Sequence, residues 1–413
     1  IVTFETNGGS AVASQTVNYN STATTPTEPT KTGYTFAGWY TDADCSTEYN
    51  FTASVTGNIT LYAKWTVEVI TDWDTLSVKL NSGTDVGNIY VSGDFEIAST
   101  ISFSGKANII STGTRVTFRR KKGYASNFFS LYSASLTFKG SESAPIVFDG
   151  TSETETQPSN LITNGGTTTF EYCSFQNNSS SSHASVYLVD DYTSSDTTFR
   201  FCSFTGNKGP KGGAVYVGKT AYNVCFENCR FENNTSSSDG GAVYIAASAT
   251  ATFSDCIFGN AEYENLGNSC TGSIGGGGAV YATGASITLS NCEFYYNKAT
   301  GNSGNGGAIG ADSSSTVTIT EGCIFKNNET ALVDSSSTHG GALYINKSSL
   351  VLPNSGSIFE NNREGNKTVY ILSDIYIVSS GTLGTVNGTV YDSGSYTVGE
   401  DENGILKLTS TSQ

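Results

Sequence analysis

The sequence predicts an all-β chain: a right-handed parallel β-helix preceded by a small N-terminal all-β module. Three observations carry the helix. A Cys followed two residues later by Phe recurs at Cys173, Cys202, Cys229, Cys256, Cys292 and Cys323, ahead of Phe175, Phe204, Phe231, Phe258, Phe294 and Phe325. Between these copies stands Gly-Gly-Ala-aliphatic, at 212–215, 240–243, 277–280, 306–309 and 340–343. The segments are short, rich in Thr, Val, Phe and Tyr, and broken by Gly, Asn and Ser, which is strand-and-turn composition and excludes a helical solenoid. Successive Cys lie 27 to 36 residues apart. One unit of that size cannot bury its apolar face alone and must stack on its neighbours.

Within a unit, Thr252-Phe253-Ser254-Asp255-Cys256-Ile257-Phe258 shows how the chain turns. Period-two alternation points Phe253 inward, uses Ser254 and Asp255 as a corner, and points Cys256 and Phe258 inward again. Stacked coils then place Cys on Cys and Phe on Phe, about 4.8 Å apart. A seventh copy, Ser357-Ile358-Phe359, lacks the thiol. Three residues after most of these Phe comes Asn178, Asn207, Asn234, Asn297, Asn328 or Asn362, with Ala261 the departure. These Asn are expected at corners, bonding local backbone in left-handed conformations. Length varies mostly before Gly-Gly-Ala, so one face should carry long loops.

In chain order, residues 1–66 read as a separate all-β unit. Val2-Thr3-Phe4, the aromatic run Gly33-Tyr34-Thr35-Phe36-Ala37-Gly38-Trp39-Tyr40 and the closing Leu61-Tyr62-Ala63-Lys64-Trp65 supply its strands. The β-helix is expected over 67–413. A short helix at 67–83 should cap its open end: Thr71 can cap it, and Trp73, Leu76 and Leu80 share one face. Strands at Ile89-Tyr90-Val91, 97–103, 116–118, 136–138 and 146–148 are expected as irregular first coils. Arg119-Arg120-Lys121-Lys122 reads as a solvated turn, with an anionic-glycan contact as the alternative. The regular coils run over 167–365, and 366–413 read as C-terminal coils or a cap.

Residues 1–66 closely resemble the Listeria-Bacteroides repeat, the internalin B-repeat, through Gly33 to Tyr40 and Leu61 to Trp65. That resemblance implies a β-grasp-like spacer or interaction module of bacterial surface proteins. Gly-Gly-Ala-aliphatic interleaved with Phe-x-x-Asn is similar to the repeat of the polymorphic outer membrane protein family, over about half the chain. This implies a pectate-lyase-like β-helix displayed at a surface, often as an adhesin; no autotransporter barrel accompanies it here.

Composition narrows the function. Charged residues are 14% and the formal net charge is −16, which disfavours nucleic acid and anionic membrane as partners. No apolar run is long enough to span a bilayer, no signal peptide is visible, and the chain starts at Ile1 in a strand-like run. An excised piece of a longer exported protein is expected, extracellular or on the cell surface. Nine Cys cannot all pair within one chain. Six are expected as an apolar interior column, while Cys225 and Cys270 have no assigned place. Cys225-x-x-x-Cys229 has no second pair at zinc spacing, so no metal and no cofactor is expected.

Parallel β-helices also carry polysaccharide lyases and glycoside hydrolases, which need paired carboxylates or a supported base. Asp190-Asp191 is the one adjacent Asp pair on the coils, and His183 and His339 are the only His. None stands in a lyase or polygalacturonase motif, so an enzyme is the lesser alternative and a passive stalk another. The binding lead is aromatic. In Val186-Tyr187-Leu188, Val215-Tyr216-Val217, Val243-Tyr244-Ile245, Val280-Tyr281-Ala282 and Leu343-Tyr344-Ile345, inward aliphatics send each Tyr outward. Stacking makes them a stripe, broken at Gly310, whose flat faces suit a glycan or a host surface protein. The competing role is plain stabilisation of the sheet.

Overall fold

Each regular coil of the computed structural model carries four short strands, as in Val243–Ile245, Thr250–Ser254, Ile257–Phe258 and Ser269–Cys270. All four pair in parallel with the next coil: Val243 with Val280, Phe253 with Leu289, Phe258 with Phe294, and Cys270 with Ala299. The structure describes residues 1–151, 158–189, 196–219, 223–272, 276–301, 305–320, 322–331, 339–352, 357–366, 369–372, 375–378, 384–386, 389–390, 394–400 and 406–410. They form two units, 1–70 with 87–90, and 71–86 with 91–413.

Two corners per coil need left-handed backbone. The residue just before each Cys of the column supplies the first: Tyr172, Phe201, Asn228, Asp255 and Asn291 have φ of 50 to 54°, and Gly322 has 85°. The second precedes the ladder Asn, at Asn177, Gly206, Asn233, Tyr296, Asn327 and Asn361. A third bend uses Gly-Gly. Gly240 has φ +63°, and a Cβ on Gly241 would lie 2.0 Å from the carbonyl oxygen of Gly278 on the next coil.

Inside, the side chains stand in columns as the alternation requires. Among the described residues one column holds Phe118, Phe148, Phe175, Phe204, Phe231, Phe258, Phe294, Phe325 and Phe359, successive centroids 4.6 to 5.4 Å apart. A second, Phe138 to Phe253, stacks at 4.7 to 5.2 Å and gives way to Leu289 and Ile319. The two columns meet edge to face, Phe226 on Phe231 at 5.6 Å, the favoured geometry for unstacked rings. Phe118 and Phe148 of the first coils begin the same column, while these coils differ in having longer strands, such as Lys106–Arg120, and a register shift between Gly165 and Thr167.

Cys173, Cys202, Cys229, Cys256, Cys292 and Cys323 are at most 2% exposed. All nine thiols are free. The sulfurs of Cys173, Cys202, Cys229, Cys256 and Cys292 lie against corner carbonyls: Cys229 Sγ is 3.4 Å from Phe199 O and 3.4 Å from Glu227 O. Cysteine thus fills the place as a small apolar group that also donates weakly. Ser357 keeps the same contact without a thiol, donating to Thr320 O at 3.3 Å. Burial pushes the Cys202, Cys229 and Cys256 thiols well above the ordinary value. Cys270, in the fourth strand, is buried in register with Ser236 and Ala299. Cys225 faces outward in register with Thr198 and Thr252 and is half-buried, as is Cys45. A thiol reagent at neutral pH, followed by mass spectrometry, is therefore expected to modify Cys45 and Cys225 and to spare the other seven. Rapid labelling of Cys229 without denaturant would contradict the column.

The Asn residues depart from expectation. They are fully buried and bond across coils, not locally. Asn207, Asn234, Asn268, Asn297, Asn328 and Asn362 form a ladder in which each Nδ2 donates to the next Oδ1 at 2.9 to 3.0 Å. Each Nδ2 also donates to a Phe carbonyl of the preceding coil, as Asn234 does to Phe204 O at 2.8 Å. Asn268, not Ala261, holds this place in its coil. The loop 260–267, with a short 3-10 turn at Glu264–Leu266, is extruded between Phe258 and Asn268. Extra length thus falls after a Phe as well as before Gly-Gly-Ala, where 273–275, 302–304 and 332–338 lie outside the described residues.

Arg120 stands next to Asn178, whose backbone N–H donates to Asn207 Oδ1 at 3.2 Å but whose Nδ2 does not join the ladder. The arginine is not a solvated turn residue but 5% exposed, donating to Asn178 Oδ1 at 3.1 Å, to Ser159 O at 2.7 Å and to Ser126 O. Burial lowers its pKa, which still leaves a guanidinium charged. Arg119 pairs with Asp149 at 3.5 Å. Arg120 thus leaves the basic run by reaching inward to backbone carbonyls, while Arg119, Lys121 and Lys122 are exposed as a solvated turn requires.

Helix Trp73–Leu80 buries Trp73, Leu76 and Leu80. Its cap is Asp72, not Thr71: the carboxylate accepts from Thr75 N at 2.8 Å, a stronger acceptor than a hydroxyl at a positive helix end. Trp73 sits 5.2 Å from Phe129 and 5.9 Å from Phe118, so this face lies over the first rings of the core. At the other end Ile375–Val378 still pairs in parallel with Leu343–Asn346, and antiparallel pairing then takes over through Gly394–Glu400 and Leu406–Ser410. A change of direction uses up the edge that a parallel stack would leave open.

In the N-terminal unit, Val2–Glu5 pairs in parallel with Ile59–Thr66, which pairs antiparallel with Thr35–Tyr40. Phe4, Trp39, Leu61 and Ala63 form its core, with Trp39 4.8 Å from Phe4. Trp65 closes the other side, its Nε1 donating to Thr6 O at 2.9 Å.

Candidate functional site

The tyrosines occupy one register position on the first strand of successive coils: Tyr187, Tyr216, Tyr244, Tyr281, Gly310 and Tyr344. Flanking aliphatics are buried, so the rings stand outside the coil interior. Tyr216 and Tyr244 stack at 5.3 Å and 6°, Tyr244 and Tyr281 at 5.8 Å and 27°, and Tyr187 leans on Tyr216 at 5.1 Å and 34°. Gly310 makes room: a Cβ there would lie 2.8 Å from Tyr281 Cδ2. Tyr376 continues the register beyond Tyr344. No Gly-Gly-Ala announces it, which is why the repeat signature alone does not find it.

The stripe is not uniformly open. Tyr244 and Tyr281 are only 6% and 9% exposed, whereas Tyr187, Tyr216 and Tyr344 are partly exposed. Lys211 and Asp239, each just before its Gly-Gly, bear on the rings. Lys211 Nζ lies 4.8 Å from the Tyr244 ring centroid and donates to its hydroxyl at 3.4 Å, a cation over an aromatic face. Asp239 accepts from Ser238 Oγ at 2.8 Å, and burial raises its carboxyl above the ordinary value against the pull of Ser238 and Lys211. Burial, then the charges of Asp239 and Asp312, push the Tyr281 hydroxyl well above the usual tyrosine range. It stays a neutral donor at any physiological pH.

His183 packs on Tyr187 at 4.4 Å with Nδ1 3.0 Å from Ser182 Oγ, and burial lowers its pKa. It extends the stripe as a neutral ring. His339 stands before its own Gly-Gly, its carbonyl accepting from Gly306 N at 2.8 Å. Asp190 and Asp191 lie outside the described residues. Among the described residues no three His, Cys, Asp or Glu are placed to hold a metal ion, and no helix is long and apolar enough to cross a membrane, which says nothing of a β-barrel.

Residues 1–64 match the Listeria-Bacteroides repeat domain, and residues 160–398 match the right-handed β-helix region. Among curated proteins, one from Evansella cellulosilytica described as a Gly-rich membrane protein is 40% identical over 24% of this chain and 11% of its own length. A second from that organism, described as a membrane protein, is 37% identical over 24% of this chain and 14% of itself. Internalin H of Listeria monocytogenes is 42% identical over 16% of this chain and 12% of its own length. The chain therefore aligns with a small part of each of these relatives. No solved structure matches it. With coils in parallel register over a match covering more than half its residues, the chain belongs to the family of right-handed β-helix proteins.

Proposed function

We propose that this chain is a bacterial surface-displayed, adhesin-like binding protein whose β-helix offers the tyrosine stripe to a glycan or a host surface protein. The observation that carries this reading is the run of stacked, outward rings from Tyr187 to Tyr281. Flat apolar faces with hydroxyl rims match sugar rings and serve as rigid contacts in protein recognition. Surface display is supported by the resemblance of residues 1–66 to a module of bacterial surface proteins and by relatives described as membrane proteins and as an internalin. The N-terminal module then acts as a spacer.

A glycan and matrix-protein array tests this. The intact chain should bind a defined subset, and Tyr187→Ala with Tyr216→Ala should remove that binding while far-ultraviolet circular dichroism is unchanged. These two are chosen because they are partly exposed, whereas truncating Tyr244 or Tyr281 opens a hole in the stack. Unchanged binding eliminates the stripe as the contact. If nothing on the array binds, the burial of Tyr244 and Tyr281 favours the other reading, a stabilising stack on a passive stalk.

A further inference from the structure

We propose that the outer face of the second strands in the regular coils is an ice-binding surface, its ligand the ordered water of an ice crystal. This inference does not rest on the tyrosine stripe, which lies on the first strands.

Strands Thr250–Ser254, Ser286–Ser290 and Thr316–Ile319 lie side by side, with Thr250, Ser286 and Thr316 in one rank and Thr252, Thr288 and Thr318 in the next. The residues between them, Ala251, Phe253, Ile287, Leu289, Val317 and Ile319, are buried, so alternation turns all six hydroxyl side chains outward. Among the described residues, none of these six hydroxyls has a hydrogen-bond partner within the chain. The second rank runs further back. Thr137, Thr169 and Thr198 precede it in register, with Cys225, a group of similar size, between Thr198 and Thr252.

Strand propensity accounts for threonine but not for the rest of the pattern. The third strands carry Arg230, Glu293 and Lys326 on their outer face, whereas this grid holds no charge in a chain whose net charge is −16. An uncharged, regular face complements an uncharged, regular ligand and gives a charged partner nothing to pair with. Nor do loops cover it. The connections on either side are short, 246–249, 284–285 and 313–315 ahead and 255–256 and 291–292 behind, while the extruded loop 260–267 leaves from beyond the third strand. Parallel pairing without a register shift sets the rows about 4.8 Å apart and alternate residues of one strand about 6.6 Å apart. Both spacings approach the oxygen repeats of hexagonal ice. Each hydroxyl can hold a water at a lattice position, and each threonine methyl restricts the water beside it. The packed side chains beneath, Phe253, Leu289 and Ile319, keep the grid rigid, so little ordering entropy opposes binding.

Ice-affinity partition and thermal hysteresis of the intact chain test this. The chain should be drawn into slowly growing ice, should open a gap between the melting and freezing temperatures, and should facet the crystals. Thr288→Tyr, which sets a ring at the centre of the grid, should lose most of both activities while far-ultraviolet circular dichroism is unchanged. Thr252→Lys, a charge on the same rank, should do likewise and serves where the ring disturbs the fold. Ser203→Lys, on the third-strand face, and the protein carrying Tyr187→Ala with Tyr216→Ala should keep both activities. Exclusion of the intact chain from ice would overturn the proposal, as would activity undiminished in the folded Thr288→Tyr or Thr252→Lys protein. Retention on microcrystalline cellulose or chitin without partition into ice would also overturn it, assigning the grid to a crystalline polysaccharide. So would loss of ice partition in the tyrosine double variant, which would move the contact to the stripe; loss of array binding alone in that variant bears on the stripe and leaves the grid standing.

Discussion

Asn234→Ala is expected to destabilise the central coils by about 3–6 kcal/mol, since it orphans several buried groups at about 1–3 kcal/mol each. Asn234 donates to Phe204 O at 2.8 Å and to Asn268 Oδ1 at 2.9 Å, and its own Oδ1 receives Asn207 N at 3.1 Å and Asn207 Nδ2 at 3.0 Å. Removing the amide strands Asn207 N and one N–H of Asn207 Nδ2, whose other bond, to Phe175 O, remains, and takes a donor from Phe204 O, where no water reaches. Because the links polarise one another, the loss spreads to both neighbours. Asn234→Asp separates shape from donation. Its carboxylate keeps the outline but cannot donate, so this variant should be weak at neutral pH and recover in acid, where the protonated form is the one the folded state prefers. Hydrogen exchange mass spectrometry resolved by coil is the proper measurement, because a solenoid need not unfold in one step. Protection at Phe204 and Asn207 equal to that of the parent chain would show the ladder to be incidental.

The second large effect is expected in the other ring column. Phe253→Ala should cost about 3–5 kcal/mol, the range for emptying a buried ring site. Phe253 lies between Phe226 at 4.7 Å and Leu289, its register partner, and is fully buried. Phe253→Leu should cost less than about 1.5 kcal/mol, as repacked hydrophobic swaps do, because the next two coils already fill this place with Leu289 and Ile319. Urea denaturation of both variants, with exchange as the local probe, checks the ratio. Equal losses for Ala and Leu would mean that ring stacking, not volume, holds the column.

The columns are legible in the sequence because inward side chains recur at fixed offsets from Cys. A Phe stands three residues before the first four Cys, at Phe170, Phe199, Phe226 and Phe253, as one stands two residues after all six, and both point inward by the same alternation. Asn268 is hidden because an extruded loop breaks its spacing from Phe258, and spacing is the one signal a ladder leaves in a sequence. Cys270 is hidden because its strand is two residues long, too short to show a period. Arg120 reads as surface charge, since nothing local tells that carbonyls lie within reach of its long stem. The Tyr stripe is legible as a direction but not as an exposure: alternation says outward, while Lys211 and the neighbouring rings decide how much is covered. Tyr172 and Phe201 are in plain view as residues, yet their strained corner exists only once the backbone is known.

The amide ladder has a consequence for how such a chain changes length. Every rung gives to the coil after it what it receives from the coil before. A duplicated turn therefore inserts with its bonds already matched, and an excised one lets its two neighbours join without leaving a gap. Growth or shrinkage by whole turns is nearly free of polar cost, whereas removing half a turn is not. The same head-to-tail order gives the ladder a direction, so two such stacks can be spliced in one orientation only.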